Sequence, residues 1–268
     1  MTGAVAPVAL VTGAASGMGA GAARRLSADG MRVVLVDRDA KAARAVADVL
    51  PGPSLVMQAD VSEEQDVDAY AEAALDHFGA VDRVFLNAGI PGAPVPLADE
   101  DVATFDRIIA VDLRGVFLGL RSALRCMREQ ATGGAIVVTA STAGVAGSDL
   151  GAYSAAKHGV VALVKTAAVE GAAYGVRVNA IAPGSIDTPM MAVIEQHLGG
   201  GDAARRALHA TTPLGRFYDR HGSVEEIADV VAFLLGPGAG WITGAVLPVD
   251  GGVLAQDPFV LPSAPGRA

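Results

Sequence analysis

The sequence contains one cysteine, Cys126, among 268 residues. A single cysteine cannot form an intrachain disulfide, a zinc site built of thiolates or a CxxC redox pair, so we expect a protein of the reducing cytoplasm. Basic residues are also few, with 20 lysines and arginines against 29 aspartates and glutamates and no basic run longer than a pair. We therefore expect no nucleic-acid partner. The five histidines show no HxxxH or HExxH spacing, so we expect no metal site.

Long apolar runs are missing as well. No stretch offers the roughly 18 uninterrupted apolar residues that a membrane-spanning helix needs. Residues 1–23 are uncharged, but they have no basic start and are interrupted by Pro7 and several glycines, which argues against a signal peptide. Hydrophobic residues make up 51% of the chain and charged residues 18%, a composition that favours a large buried core over disorder. We expect a soluble globular protein without a membrane partner.

What the chain does contain is an alternation of short β-branched runs and longer segments of helical period. Most of the short runs are apolar throughout, as in strands covered by helices on both faces. The pattern predicts an α/β fold: a doubly wound, seven-stranded parallel sheet flanked by helices on both faces. The predicted strands are Val8–Thr12, Arg32–Asp37, Leu55–Ala59, Arg83–Asn87, Ala135–Ala140, Arg177–Ala182 and Ala245–Val249. The predicted helices lie near residues 18–29, 39–50, 63–78, 99–130, 152–174 and 224–235.

One domain, residues 1–268, is predicted because no linker or change of composition divides the chain. Within it, residues 184–222 combine three consecutive glycines with short helical pieces, and we expect them to form a substrate lid. The tail, residues 253–268, carries three prolines and an apolar cluster, Phe259–Leu261. It is expected either to fray or to dock on its own or a neighbouring subunit.

The turn after the first strand is rich in glycine. Gly13 permits a sharp exit from the strand, and Gly17 lets backbone N–H groups approach a pyrophosphate. Gly19 allows the following helix to pack closely, and the N-terminus of that helix attracts negative charge. The turn predicts a dinucleotide-binding site, although many α/β proteins have tight turns without this function.

Asp37, at the end of the second strand, indicates which dinucleotide binds. A carboxylate at this place accepts hydrogen bonds from the adenosine ribose and repels a 2′-phosphate, so we expect NAD as the cofactor. Arg38 is next to it and is able to pair with a 2′-phosphate, or else to cover the adenine or remain exposed.

Further segments match, in order, the motifs of one protein family. These segments are Thr12–Gly19 for a TGxxxGxG turn, Asp60–Val61 for an adenine-contacting pair, Asn87–Gly89 for an NAG motif, Ser141 with Tyr153–Lys157 for an active-site serine and YxxxK, Asn179–Gly184 with Thr188 for a nicotinamide-side segment, and Leu247–Gly252 for a final strand and turn. On these segments the chain resembles the short-chain dehydrogenase/reductase family, of its single-domain type, over nearly its whole length up to the tail.

The resemblance implies a Rossmann-like fold and a nicotinamide cofactor. It also implies the cofactor-binding residues, which are Gly13, Ser16, Gly17, Met18, Gly19, Asp37, Arg38, Asp60, Val61, Asn87, Ala88, Gly89, Tyr153, Lys157, Pro183, Gly184, Ile186 and Thr188.

Tyr153 and Lys157 are candidate catalytic residues, because side chains four apart on a helix project from one face. A phenol with its ordinary pKa of about 10 is a poor base near neutral pH. The Lys157 ammonium and the positive nicotinamide ring both favour the phenolate, so we expect a lowered pKa for Tyr153. Tyr153 then accepts a proton in oxidation and donates one in reduction, while Ser141 hydrogen-bonds the substrate oxygen.

Asp112 departs from the family pattern. Relatives usually carry an Asn at this place, where it orders water leading to the lysine, whereas this chain has Val111-Asp112-Leu113. An ionised Asp accepts hydrogen bonds but does not donate as an amide does, and its charge would weaken the effect of Lys157 on Tyr153. Alternatively, Asp112 caps a local kink and only its backbone matters.

These residues predict an NAD(H)-dependent oxidoreductase that interconverts a neutral secondary alcohol and its ketone, because the expected pocket carries no obvious cation for a carboxylate. The pocket is expected between residues 141–150, Pro91–Gly92, and Met190, Met191 and Ile194. A catalytically silent NAD-binding sensor or scaffold is an alternative, motivated by Asp112. An NAD-retaining epimerase or dehydratase is disfavoured, because 268 residues leave little room for the extra domain that those relatives carry.

Subunit association is also expected. The helices near 104–130 and 152–174 carry apolar residues on more than one face, among them Val160, Val161, Leu163 and Val164. The resemblance implies a homotetramer or homodimer built from these helices.

Overall fold

The protein, described here over residues 6–256 of a computed structural model, has a parallel seven-stranded sheet with helices on both faces. The strands are β1 Val8–Thr12, β2 Arg32–Asp37, β3 Ser54–Gln58, β4 Arg83–Leu86, β5 Gly134–Thr139, β6 Val176–Pro183 and β7 Val246–Val249. The helices are α1 Gly17–Ala28, α2 Ala40–Ala47, α3 Glu64–Phe78, α4 Val102–Ile108, α5 Gly115–Gln130, α6 Gly151–Ala172, α7 Pro189–His197, α8 Gly201–Thr211, α9 Pro213–Tyr218 and α10 Val224–Leu235.

The order of the strands across the sheet is β3-β2-β1-β4-β5-β6-β7. The chain builds outward from β1 to β3, then returns to place β4 on the other side of β1. The direction of winding therefore reverses between β1 and β4, and the loops that leave these two strands diverge. In open α/β sheets such a point opens a crevice at the carboxyl ends of the strands, where ligands bind.

The strands are buried on both faces, so alternate residues of one strand enter different cores. Val8 and Leu10 face a layer formed with α3, α5 and α6, whereas Ala9 and Val11 face a layer formed with α1 and α10. This explains why the strand sequences are apolar without alternation, and the predicted doubly wound architecture is confirmed.

The long helix predicted at residues 99–130 is wrong in its first part. Glu100 is extended, and α4 begins only after Asp101, whose side chain accepts a hydrogen bond from the Thr104 N–H at 2.8 Å. The helical segment is also not uniform, because Ile109–Arg114 form a π-helical turn between α4 and α5. Such turns insert an extra residue into a helix and recur at functional sites.

Residues 184–222 contain α7, α8 and α9. An isolated parallel β-bridge pairs Ile186 with Gly222 and so joins the two ends of the segment. The C-terminal tail expected to fray or dock lies almost wholly outside the described residues. Within residues 6–256, no helix combines the length and hydropathy needed to cross a bilayer, and no three His, Cys, Asp or Glu side chains are grouped to hold a metal ion.

Candidate active site

The glycine-rich turn follows β1 directly and leads into α1. Gly13 and Gly17 have φ of +65° and +50°, the left-handed region that glycine adopts without strain. Gly19 has a different reason to be glycine, since a Cβ there would lie 2.0 Å from the carbonyl oxygen of Gly13. The turn therefore exposes backbone N–H groups without side chains in the way, and α1 packs closely against it. A pyrophosphate-binding turn requires both features.

Asp37 is the last residue of β2 and stands beside this turn. Its Oδ2 accepts a hydrogen bond from the Ala15 N–H at 3.0 Å, and its Oδ1 accepts one from the Asp39 N–H at 2.9 Å. These bonds fix the carboxylate at the rim of the crevice. Arg38, the next residue, is exposed, and both residues line the cavity between the glycine-rich turn and the loop after β4.

Asn87 ties the end of β4 to the glycine-rich turn. The backbone N–H groups of Asn87 and Ala88 donate to the Thr12 hydroxyl at 3.0 and 3.1 Å, and the Asn87 amide donates to the Gly13 carbonyl at 3.4 Å. These bonds hold the loop after β1 and the loop after β4 at a fixed distance, at the place between β1 and β4 where the direction of winding reverses. The Asn87-Ala88-Gly89 segment thus forms one wall of the crevice.

A cavity of about 280 Å³ occupies this crevice. Most of the predicted cofactor-binding residues line it, namely Gly13, Ser16, Gly17, Met18, Asp37, Arg38, Asp60, Val61, Asn87, Ala88, Gly89 and Thr188. The lining also includes residues that we did not predict as cofactor contacts, namely Val36, Ala59, Ile90, Val111, Pro189 and Met190. Several of these directly adjoin predicted residues, and sequence adjacency is the one signal that points to them.

Other predicted contacts do not line the cavity. Gly19 lies beneath the turn, where it permits close packing. Pro183 ends β6, and Ile186 is 5% exposed and belongs to the core against α1 and α10. Gly184 faces the chain at Asp250, whose Cα would lie 2.9 Å from a Cβ at this glycine. Within this segment, Thr188 is the residue that reaches the cavity, and it faces Gly17 across the crevice.

Tyr153 and Lys157 project from the same face of α6, behind the loop that follows β4. Lys157 Nζ lies 5.3 Å from the centroid of the Tyr153 ring. Gly89 and Gly92 allow this loop to pass close by, since a Cβ at Gly92 would lie 2.8 Å from Tyr153 Cβ. Ser141, which follows β5, accepts the Ala143 N–H at 3.2 Å and lies near enough to Tyr153 to lower the pKa of its phenol. The structure thus brings the three predicted catalytic side chains together next to the cavity wall.

Asp112 joins this group through its side chain. It lies in the π-helical turn and is 0% exposed, with Oδ1 accepting a hydrogen bond from the Ile90 N–H at 2.9 Å. Its Oδ2 lies 3.2 Å from Lys157 Nζ as an ion pair without hydrogen-bond geometry, and Nζ donates a hydrogen bond to the Thr139 carbonyl at 3.2 Å. The carboxylate of Asp112 thus contacts the lysine, a contact that a role of the backbone alone does not require.

Burial dominates the electrostatics of the group. Burial raises the pKa of Tyr153, and the opposing effects of Lys157 and Ser141 do not reverse this. The pKa of Lys157 is lowered by burial, but Asp112 and Tyr153 together raise it above its ordinary value. The expectation of a lowered pKa for Tyr153 included the charge of the nicotinamide, whereas this raised pKa is that of the protein alone, where burial outweighs Lys157 and Ser141.

A dinucleotide fits these residues. The crevice offers a turn with glycines where side chains would clash, a helix N-terminus, and a carboxylate at the rim. Beside it stands a phenol that a buried ammonium accompanies. This combination suits proton transfer next to a nicotinamide ring.

Comparisons with known proteins agree with this geometry. A sequence model described as "Enoyl-(Acyl carrier protein) reductase" matches residues 13–254. Levodione reductase of Leifsonia aquatica is 42% identical over 251 residues, covering 91% of this chain and 93% of the relative. Cis-4-hydroxycyclohexanecarboxylate dehydrogenase of Sinomonas cyclohexanicum is 41% identical, covering 92% of this chain and 96% of the relative.

Solved structures give the same result. A crystal structure of levodione reductase superimposes with a TM-score of 0.88 at 41% identity, over 94% of this chain and 98% of that one. The 3-ketoacyl-(acyl-carrier-protein) reductase of Brucella melitensis, complexed with NADH, gives a TM-score of 0.83 at 37% identity, over 92% and 98% of the two chains. With this likeness extending over nearly its whole length, the chain belongs to the short-chain dehydrogenase/reductase family of oxidoreductases.

Proposed function

We propose that the protein is a cytoplasmic, NAD(H)-dependent oxidoreductase that interconverts a neutral secondary alcohol and its ketone, with Tyr153 as the general acid and base. The main support for this proposal is that Tyr153, Lys157 and Ser141 lie close together beside a crevice that contains a glycine-rich turn. The cytoplasmic location is supported by the single cysteine of the sequence, which cannot form an intrachain disulfide.

Ser141, Tyr153 and Lys157 each have a separate role in this reaction. Ser141 hydrogen-bonds the substrate oxygen and holds the reacting carbon in place. Tyr153 takes the proton of the substrate hydroxyl in oxidation and returns a proton to the carbonyl oxygen in reduction. Lys157 stabilises the ionised form of Tyr153. A nicotinamide held in the crevice would supply the hydride chemistry that interconverts the alcohol and the ketone.

Asp37 supports NAD rather than NADP as the cofactor. Its carboxylate lines the cavity and is held by two backbone N–H groups, so it cannot easily turn away from a 2′-phosphate. Like charges at such a partly desolvated place repel each other. The Brucella melitensis relative was solved in complex with NADH, which agrees with this choice.

Replacing Asp37 with serine will raise the efficiency with NADP relative to NAD by about tenfold or more, because the like-charge repulsion disappears. The measurement is the ratio of kcat/KM for the two cofactors with one alcohol. Asp48→Ser, which removes an exposed carboxylate at the end of α2, is the matched control and keeps the wild-type ratio. An unchanged ratio in Asp37→Ser would mean that the ribose is recognised elsewhere.

For the substrate we propose a neutral, alicyclic alcohol or ketone. The apolar side chains of Ile90 and Met190 border the cavity, and Leu150 lies near Gly92 on the side of Tyr153. One relative is a cis-4-hydroxycyclohexanecarboxylate dehydrogenase, whose named substrate is a cyclohexane ring with a hydroxyl and a carboxylate, so it supports the alicyclic ring and not the absence of charge. A panel of cyclic, linear and sugar alcohols, followed through NADH absorbance at 340 nm, tests both the reaction and the class. Tight NAD binding without turnover on the panel would favour the silent sensor.

We propose that residues 184–222 act as a lid within a single domain. Thr188, Pro189 and Met190, at the start of α7, form part of the cavity lining. Farther along, Glu195 receives hydrogen bonds from Arg205 Nε at 3.0 Å and pairs with His221 Nε2 at 2.9 Å, so α7 is linked to α8 and to the end of the segment. Movement of the segment would therefore carry one wall of the cavity with it.

We propose a homotetramer or homodimer, although the side chains that suggested it need correction. Val160 and Val164 are 0% exposed because they pack into their own chain's core, and Val161 and Leu163 pack against the same core. The exposed apolar side chains of these helices lie elsewhere, namely Val102, Phe105, Phe117 and Val169. We expect a multiple of the single-chain mass in light scattering, and a purely monomeric protein would refute this.

A further inference from the structure

Asp112 forms a buried ion pair with Lys157. Its Oδ1 accepts a hydrogen bond from the Ile90 N–H at 2.9 Å, and its Oδ2 lies 3.2 Å from the Lys157 ammonium, a charge contact without hydrogen-bond geometry. Gly89 makes this approach possible, because a Cβ at Gly89 would lie 2.9 Å from Asp112 Oδ2. Asp112 and Lys157 are 0% and 2% exposed, so solvent screens their interaction little. The carboxylate is held directly against the lysine.

This pairing changes the charge around Tyr153. Burial raises the pKa of Asp112, while Lys157 and the Ile90 N–H oppose this rise, so the carboxylate forms as the pH increases. Once Asp112 is ionised, the ammonium of Lys157 is already neutralised, and ionising the half-buried Tyr153 would add one unbalanced negative charge beside the buried pair. With a neutral amide at position 112, ionising Tyr153 would instead balance the ammonium. Since an unpaired buried charge is costly, the carboxylate opposes the phenolate form.

The other charges near the group do not alter this balance. The elements packed against the π-helical turn are α4, α5 and α6. Asp106 and Arg107 on α4 and His158 on α6 are exposed, and His158 Nδ1 lies 2.9 Å from the Ser154 carbonyl. Arg114, in the π-helical turn itself, donates to the Ser62 carbonyl. Among the described residues, Lys157 and Asp112 are the charged groups that act on Tyr153. Burial has the largest effect on the pKa of Tyr153 and raises it. Lys157 has the next largest effect and lowers this pKa, and Asp112 raises it.

We propose that Asp112 is a positioning residue that neutralises Lys157 and thereby keeps the phenol of Tyr153 protonated into the alkaline range. A protonated phenol donates to a ketone oxygen, whereas only the phenolate accepts a proton from an alcohol. The enzyme therefore reduces ketones over a wide pH range and oxidises alcohols only at alkaline pH. This inference rests on the proposed acid and base role of Tyr153.

The test is Asp112→Asn, a variant of nearly the same shape whose amide oxygen keeps the bond from Ile90. We expect the acid limb of the kcat/KM profile for cyclohexanol oxidation to move to lower pH by about one unit, a tenfold gain on that limb. The alkaline limb of the kcat/KM profile for cyclohexanone reduction also moves to lower pH, because the phenol loses its proton earlier. The control is Asp82→Asn, which alters a half-buried carboxylate that accepts the Val8 N–H at 2.7 Å at the amino ends of β1 and β4, away from the crevice. It leaves both limbs in place.

A second measurement does not depend on turnover. Tyrosinate absorbs at 295 nm, so the difference between the titrations of the wild type and of Tyr153→Phe isolates Tyr153 among the four tyrosines. We expect Tyr153 to ionise above its ordinary value in the wild type and at lower pH in Asp112→Asn. Should Asp112→Asn not fold, the wild-type titration decides, and ionisation of Tyr153 well below pH 10 overturns the proposal.

The outcomes distinguish a failure of the role proposed for Asp112 from a failure of the oxidoreductase function. An active Asp112→Asn whose limbs do not move, or whose activity falls equally at every pH, refutes the counter-ion role and leaves the oxidoreductase function intact. Absence of wild-type turnover with every alcohol and ketone refutes the function itself. The tyrosine titration would still report whether Asp112 opposes ionisation.

Discussion

Replacing Tyr153 with phenylalanine will lower kcat by about 10²- to 10⁴-fold, the range that a positioned general acid or base contributes. The substitution removes one oxygen atom and keeps the ring, which lies 5.3 Å from Lys157 Nζ. The packing of Gly92 against Tyr153 Cβ is also kept. We therefore expect the loss in kcat without loss of NADH binding, which titration of NADH fluorescence measures.

The matched control is Tyr174→Phe, which removes the hydroxyl of a half-buried tyrosine just beyond the end of α6. Tyr174 packs against the core on the far side from the crevice and approaches Arg128 through its ring, which the substitution preserves. This variant should retain wild-type kcat. If Tyr153→Phe kept its activity, Tyr153 could not be the group that transfers the proton, and another acid and base would have to be sought.

The fold was predictable because its main signal is local. Strands such as Val8–Thr12 and Arg32–Asp37 have consecutive apolar residues in their interiors, and their bounds in the structure are those predicted. The glycine-rich turn and Asp37 were predictable because their chemistry is set by residue type and by their place at strand ends. In an α/β sheet those ends meet at one edge, so residues far apart in sequence line one cavity.

What the sequence did not reveal depends on packing. Ala59, Ile90 and Val111 line the cavity with apolar groups that carry no chemical signature. The π-helical turn that aims Asp112 at Lys157 leaves no mark in a helical pattern of residues. The direction of the Tyr153 pKa shift depends on burial, which competes with Lys157 and which charge counting along the sequence omits.

Replacing Gly19 with alanine will weaken NADH binding by about tenfold or more, through overpacking of a kind that typically costs about 1–3 kcal/mol. The added Cβ would lie 2.0 Å from the Gly13 carbonyl oxygen and 2.8 Å from Asn87 Nδ2. The first neighbour is backbone, so the clash cannot be relieved by rotating a side chain. Either α1 moves away or the turn after β1 changes shape, and both displace the N–H groups that a pyrophosphate would meet.

The control for this variant is Gly238→Ala, in the short turn after α10. There a Cβ would meet the Phe233 ring at 3.4 Å, an ordinary contact, so NADH affinity should not change. Thermal unfolding of both variants separates a local displacement from general destabilisation. If Gly19→Ala bound NADH with wild-type affinity, the close packing of α1 on the turn would not be needed for binding, and the crevice would have to hold the cofactor through Asp37 and the loop after β4 alone.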